Sequence, residues 1–252
     1  MSTLQHVRDM APDLDTEADA RVQLAACYRL LAHFRMTDTI YNHVTLRVPG
    51  HEGQFLINAF GLLYDEITAS NLVTIDIDGN ILDDPTGLGI NPAGFVIHSA
   101  IHQARHDVAC VVHTHTAAGM GVSAQAGGLL PISQHAAFFH GALSYHDSEG
   151  VAVDIGERER LVADLGSNYA MILRNHGLLT AGRTAGEALQ LMLNLERACQ
   201  AQIAALAGGT ELTFCSTRAL EDTAEVGRTF DYSRDWAALQ RLADRVAPDH
   251  RN

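Results

Sequence analysis

The sequence predicts a single α/β domain in which a central, mainly antiparallel sheet is covered by helices. Three observations carry this. Helix-period and strand-period segments succeed one another along the 252 residues, and some strand-like runs are joined by short turns rather than by a helix. Charged and apolar stretches alternate evenly, with no Pro/Ser-rich linker and no internal repeat to divide the chain. Hydrophobic residues make up 47% of the sequence, enough for one large core.

Taken in order, residues 1–14 are expected to be a loose N-terminus, 15–210 the domain, and 211–252 a C-terminal extension packing on the domain or on a neighbouring subunit. Ala18, Val22, Ala26, Cys27, Leu30, Leu31 and Phe34 recur at helical spacing behind Asp15 or Thr16 as a cap, which predicts a long amphipathic helix. Residues 43–48 and 54–60 read as strands joined by Pro49-Gly50-His51-Glu52-Gly53, a hairpin. Residues 72–81 hold a period-two strand and an Asp-Gly-Asn turn, and 83–89 a loop. Pro92 opens a helix over 93–105, which leads into an apolar strand ending at His115, and a second helix covers about 117–126. The segment 133–145 does not separate into strand or helix. A short helix at 157–165 precedes a strand that carries His176. Thr184, with Glu187 three residues on, forms a capping box for a helix reaching about 206, with Ala188, Leu191, Met192, Leu195 and Ala198 on one face. A last helical stretch spans about 236–246.

The formal charge of -13 argues against nucleic acid or an anionic membrane as partner. No apolar run approaches membrane-spanning length and the N-terminus lacks a signal-peptide pattern, so a cytoplasmic protein is expected. Cys27, Cys110, Cys199 and Cys215 are scattered without a CxxC pair and read as reduced thiols.

The chemistry is concentrated in Val111-Val112-His113-Thr114-His115-Thr116. On an extended backbone His113 and His115 point the same way, roughly 6 to 7 Å apart at Cα, a bite suited to one metal ion. A third ligand is offered by His176 in Asn175-His176-Gly177, where a glycine allows the chain to turn or approach closely. On spacing alone a His-x-His pair is equally compatible with a partly exposed strand.

These runs, together with Tyr41-Asn42-His43-Val44-Thr45, Ile57-Asn58-Ala59-Phe60-Gly61 and Thr68-Ala69-Ser70-Asn71-Leu72, resemble the class II aldolase/adducin superfamily over about residues 28–206. The resemblance implies a three-layer α/β/α sandwich. It also implies His113, His115 and His176 as ligands of a divalent metal, with zinc expected and manganese or iron as alternatives, and a homotetramer acting on a small molecule. It places Asn42, Asn58, Phe60 and Gly61 among the substrate-binding positions. The chain departs from the sugar-phosphate aldolases where they carry Ser-Ser-Glu, whose glutamate is the acid/base: here the residues are Pro92-Ala93-Gly94, and Phe60 stands where those enzymes place a phosphate-binding threonine. Losing these hydroxyls disfavours a phosphorylated substrate by about 1 to 3 kcal/mol per donor.

Replacement acid/base groups are sought in His98, one helical turn after Gly94, and in His140 and Tyr145, with His146 beside them; packing between subunits is the competing role for these residues. His102 and His106 continue the spacing of His98 and read as histidines shown to solvent or a neighbour. Arg174 is expected to bind a substrate carboxylate, with a structural ion pair as the alternative. The expected function is a carbon-carbon lyase, aldolase or decarboxylase, working on a non-phosphorylated oxo or hydroxy acid through a metal-stabilised enolate. A three-histidine iron-dependent oxygenase and a non-catalytic adducin-like assembly module are the alternatives.

Overall fold

The computed structural model describes residues 16–150 and 156–252; the expectation of a loose segment at 1–14 lies outside the described residues. Thr16 accepts the Asp19 N–H in its side chain and starts α1, Glu17–His33. The spacing predicts one apolar stripe on this helix, yet every residue from Gln23 to Leu31 is buried and Ala18 is exposed. The reason is tertiary: α1 is enclosed by the first strand, by two single turns at Tyr64–Glu66 and Ala69–Asn71, and by helices from the C-terminal part of the chain. Buried Arg29 is satisfied there by the Ile67 carbonyl and by Asp249 at 2.6 Å.

The predicted hairpin forms from β1, His43–Arg47, and β2, Gln54–Ile57, with Leu46 opposite Leu56. Strands β3, Val73–Asp76, and β4, Ile81–Asp83, follow, and then α2, Pro92–Ala104. Next come β5, Cys110–Thr114, and α3, Ala117–Ser123. The undivided segment resolves into α4, Gln134–Phe138, capped by Ser133, and β6, Leu143–His146. Helix α5, Glu157–Leu165, crosses to β7, Ala170–Leu173. One expectation is corrected here: the apolar run around His176 is two strands, β7 and β8, Gly177–Gly182, and His176 stands in the turn between them. Helix α6, Ala185–Ala207, starts at Thr184, whose hydroxyl accepts the Glu187 N–H while the Glu187 carboxylate reaches back to the Arg183 N–H at 2.7 Å.

The eight strands form one sheet in the order β4-β3-β2-β1-β5-β8-β7-β6. Neighbours are antiparallel except β6 and β7, which the α5 crossover makes parallel. Alternation along the strands sends Val44, Leu46, Val112, Ile172 and Leu178 to the face covered by α1 and α6, and Val111, Met171, Leu173, Leu179 and Ala181 to the face covered by α2 and α5. That is a three-layer α/β/α arrangement.

Beyond α6, helices α7, Thr217–Thr229, and α8, Ser233–Val246, pack back on the sheet's helices. Trp236 lies so close to Gly186 that a Cβ there would fall 2.4 Å from the indole, and the Asn252 carbonyl accepts the Ser70 N–H at 2.8 Å. Helix α7 is not among the elements expected from periodicity; its signal is the Ser216 cap followed by Leu220 and Ala224 at four-residue spacing. The four cysteines are free thiols, with Cys27, Cys110 and Cys199 buried.

Candidate metal centre

His113 occupies the last full turn of the pleat in β5, where it faces His43 of β1 on one side and Leu179 of β8 on the other. His115 follows just past the strand end. His176 arrives from the β7–β8 turn, whose tightness depends on Asn175 at φ 56 and on Gly177. A Cβ on Gly177 would lie 2.4 Å from the Thr114 carbonyl and 3.1 Å from the His115 ring, so only glycine lets β8 pass this close to the end of β5. The three rings stand in a near-equilateral triangle, with centroids 4.6, 4.8 and 4.8 Å apart, and one nitrogen from each lies within 4.8 Å of the others.

The outer nitrogens settle what the inner ones can do. His113 Nδ1 is 2.9 Å from the Leu178 carbonyl, which can only accept, so Nδ1 carries the proton and Nε2 a lone pair. His115 Nδ1 is 3.0 Å from an Asp38 carboxylate oxygen, with the same consequence. The two Nε2 atoms are 2.8 Å apart. Two lone pairs at that distance repel unless a cation or a proton lies between them. Burial, and then the neighbouring imidazoles His176, His115 and His43, push His113 well below the usual histidine range; burial and His115 bring His176 down to about 4. Neutral imidazole is the form that binds a metal, so these residues suit a divalent ion of the zinc type.

The histidines open onto a cavity of about 440 Å³, bounded also by Tyr41, Asn91, Gly94, Ile97 and Ser148. No lysine or arginine is among the described residues that line it. His43 forms part of its wall and, like Asp38, is a site residue that the sequence does not single out. It is 3% exposed, its ring is 5.6 Å from that of His113, and neither ring nitrogen has a hydrogen-bond partner. Burial, and then His115, bring it down to about 4; the nearby Tyr41 and Gly94 carbonyls oppose this without closing a hydrogen bond. The signal that could have found it is the pairing of His43 with His113, and register is invisible in the sequence of either strand alone.

The expected acid/base groups are placed elsewhere. The space beside Gly94 is filled by His43, not by His98: a Cβ on Gly94 would lie 2.6 Å from the His43 ring. His98 sits behind His43, 1% exposed, with Nδ1 2.8 Å from the Thr45 hydroxyl, which also lies 2.8 Å from His102 Nε2. His102 is therefore buried rather than shown to solvent, while His106 is exposed beyond the end of α2. His140 and Tyr145 line a separate cleft of about 180 Å³ with Leu129 and Pro131, and the Tyr145 hydroxyl accepts the Leu129 N–H at 3.0 Å. His146 pairs with Asp164 at 2.7 Å.

Among the expected substrate-binding residues, Arg174 lies in the β7–β8 turn, over the Tyr145 ring at 4.3 Å, and donates to the Gln125 carbonyl at 2.8 Å; it does not line the cavity. Asn58 is held in the core with its Oδ1 2.8 Å from the Tyr28 hydroxyl. Phe60 packs on Tyr41 with ring centroids 6.5 Å apart, and Gly61 is exposed at φ 117. Asn42 is the one closest to the histidines: its Oδ1 is 3.4 Å from the His115 N–H, and its Nδ2 is buried without a partner.

Comparison with known proteins agrees with this architecture. Residues 22–203 match the family described as Class II Aldolase and Adducin N-terminal domain. A solved aldolase II superfamily protein from Pseudomonas syringae is 57% identical, covering 94% of this chain and 96% of its own, with a TM-score of 0.90. The L-fuculose 1-phosphate aldolase from Glaciozyma antarctica PI12 is 26% identical, with full coverage of both chains and a TM-score of 0.86. Alpha-adducin of Rattus norvegicus is 48% identical over 189 residues, which are 74% of this chain and 26% of the adducin. With the match spanning the sheet and all three clustered histidines, the chain belongs to the class II aldolase and adducin family.

Proposed function

We propose that the chain is a divalent-metal-dependent carbon-carbon lyase, of aldolase or decarboxylase type, that acts on a small non-phosphorylated oxo or hydroxy acid, with His113, His115 and His176 as the metal ligands. The observation that carries the reading is the facing pair of Nε2 lone pairs, 2.8 Å apart and fixed from outside by the Leu178 carbonyl and Asp38. A divalent ion held there, zinc in the first instance, supplies a Lewis acid that draws off the electron pair released when a bond to carbon beside a carbonyl breaks.

The chain's own residues narrow the chemistry. The cavity presents no guanidinium or ammonium group to a phosphate dianion among its described lining, and the position of the aldolase glutamate is Gly94, packed against His43. Decarboxylation fits such a site because the leaving carboxylate needs no base to initiate cleavage. The Asp38 and Leu178 contacts hold the two imidazoles in one tautomer throughout, and Tyr41, 55% exposed, borders the opening. A cytoplasmic homotetramer belongs to the same proposal.

The assembly reading has one observation in its favour, the 48% identity to alpha-adducin against 26% to the fuculose phosphate aldolase. Mass-spectrometric metal analysis of native protein, coupled to a screen of oxo and hydroxy acids for carbon dioxide or aldehyde release under an oxygen electrode, separates the readings. One zinc or manganese per chain with product release is the expected result. Iron with oxygen uptake would favour the oxygenase, and a chain that retains no metal would favour assembly.

A further inference from the structure

His43 is one of the more costly residues in the structure. Two buried ring nitrogens without partners lie in a wall of the cavity, and an unpaired buried polar group destabilises a fold by about 1 to 3 kcal/mol. A buried group left unpaired at a cavity is a place to look for a missing ligand. The His43 ring packs on that of His98, with centroids 4.1 Å apart, and no directed hydrogen bond fixes its nitrogens. Its other neighbour on α2 is Gly94, where any side chain would collide with it, and since neither nitrogen is bonded, turning the ring breaks no hydrogen bond. His98 differs in this respect, because Thr45 holds its Nδ1 at 2.8 Å. His113 differs too, held by the Leu178 carbonyl at 2.9 Å.

We propose that His43 is a substrate-contacting residue, whose imidazole turns in its wall to hydrogen-bond an oxygen of an oxo-acid substrate, and that Gly94 is glycine to leave it room. The proposal rests on the reading of the cavity as the substrate site of a metal-dependent lyase. It assigns recognition to a neutral donor-acceptor ring in the cavity wall. An oxygen presented there gives the ring the pairing that it lacks.

The test uses cobalt-loaded full-length protein with oxalate and pyruvate as the ligands, titrated calorimetrically and by the visible cobalt bands. His43→Phe, with His43→Leu as a smaller alternative should the phenyl ring not fit, is expected to keep one metal per chain and to melt at or above the wild-type temperature. The same variants should bind oxalate roughly tenfold to a hundredfold more weakly. A purely structural His43 would instead lower the melting temperature. Gly94→Ala, whose methyl group would press on the ring, should weaken oxalate in the same direction with the metal retained. His43→Asn and His43→Gln, which keep an amide near Nδ1 or Nε2 respectively, should restore part of the affinity in one case. Unchanged oxalate affinity in the Phe and Leu variants overturns the assignment of His43 alone. Wild-type protein that takes up cobalt but binds neither oxalate nor pyruvate overturns the oxo-acid reading, and this inference with it.

Discussion

Two groups of histidines lie side by side at one end of the sheet, and they meet opposite fates. His113, His115 and His176 turn one nitrogen outward to a carbonyl or carboxylate, or stand in a turn, and bring the others together at a cavity. His43, His98 and His102 lie behind them between β1 and α2, almost fully buried; His98 and His102 share a single hydroxyl, that of Thr45, and neither nitrogen of His43 has a hydrogen-bond partner. The residue type is the same and His43 even faces His113 across the strands. What separates an imidazole placed to hold a metal from a packed one is convergence at the cavity, helped for His113 and His115 by the partner of the outer nitrogen, and the comparison can be broken at that point.

The largest effect is expected from removing a converging ring. His176→Ala, in a turn outside the sheet, should leave the fold intact and reduce bound metal from one per chain to none by mass spectrometry. A variant that keeps its metal would dissolve the distinction between the groups. Acid should act on both groups, since burial lowers His113 and His176 as well as the second group, and His102 can be tested on its own. Burial pushes His102 from an ordinary value of 6.5 down to about 3, so the folded state resists protonation more than the unfolded one does. Its contribution is intact above pH 6.5 and is lost as the pH falls toward 3. At pH 4.5, two units below the unfolded value, this costs about 3 kcal/mol. Urea unfolding of chelator-treated protein at pH 7 and pH 4.5 reads this loss, and His102→Phe, which can keep the stack on Phe55, should shrink the difference.

Smaller changes test the outer partners. Asp38→Asn replaces the carboxylate behind His115 and should weaken metal binding about tenfold to a hundredfold in a competition titration, with the fold unaffected. The smallest effect concerns Arg174. Since its guanidinium is spent on Tyr145 and the Gln125 carbonyl, Arg174→Lys should leave oxalate affinity unchanged and cost about 1 kcal/mol or less in thermal stability. A drop in oxalate affinity would restore the carboxylate-binding role that its distance from the cavity speaks against.

The clustered triad is legible in the chain itself because the spacing of His113 and His115 fits the two-residue repeat of a strand, and because Asn175 and Gly177 mark a tight turn around His176. Asp38 carries no such mark. It is one of many acidic residues in a chain of net charge -13, and its role appears only when the loop before β1 folds against His115. His98 shows the opposite error: helical spacing from Gly94 suggests that it replaces the lost glutamate, and spacing along one helix cannot register that a strand residue already fills the space. Arg174 reads as part of a strand face that does not exist, because an apolar run with a polar interruption has the same pattern whether it bends or not.

Local information determined most of the helices and strands, the Thr16 and Thr184 caps, the hairpin at residues 49–53 and the histidines that converge. These depend on periodicity, capping and turn chemistry, whose range is a few residues. The tertiary structure alone decided the eight-strand order, the burial of α1 on nearly all sides, the pairing of His43 with His113 and the contact that forbids a side chain at position 94. Each of these joins residues about 50 or more apart in the chain or several elements at once, and such contacts are chosen by how whole layers pack rather than by any preference of the residues that make them.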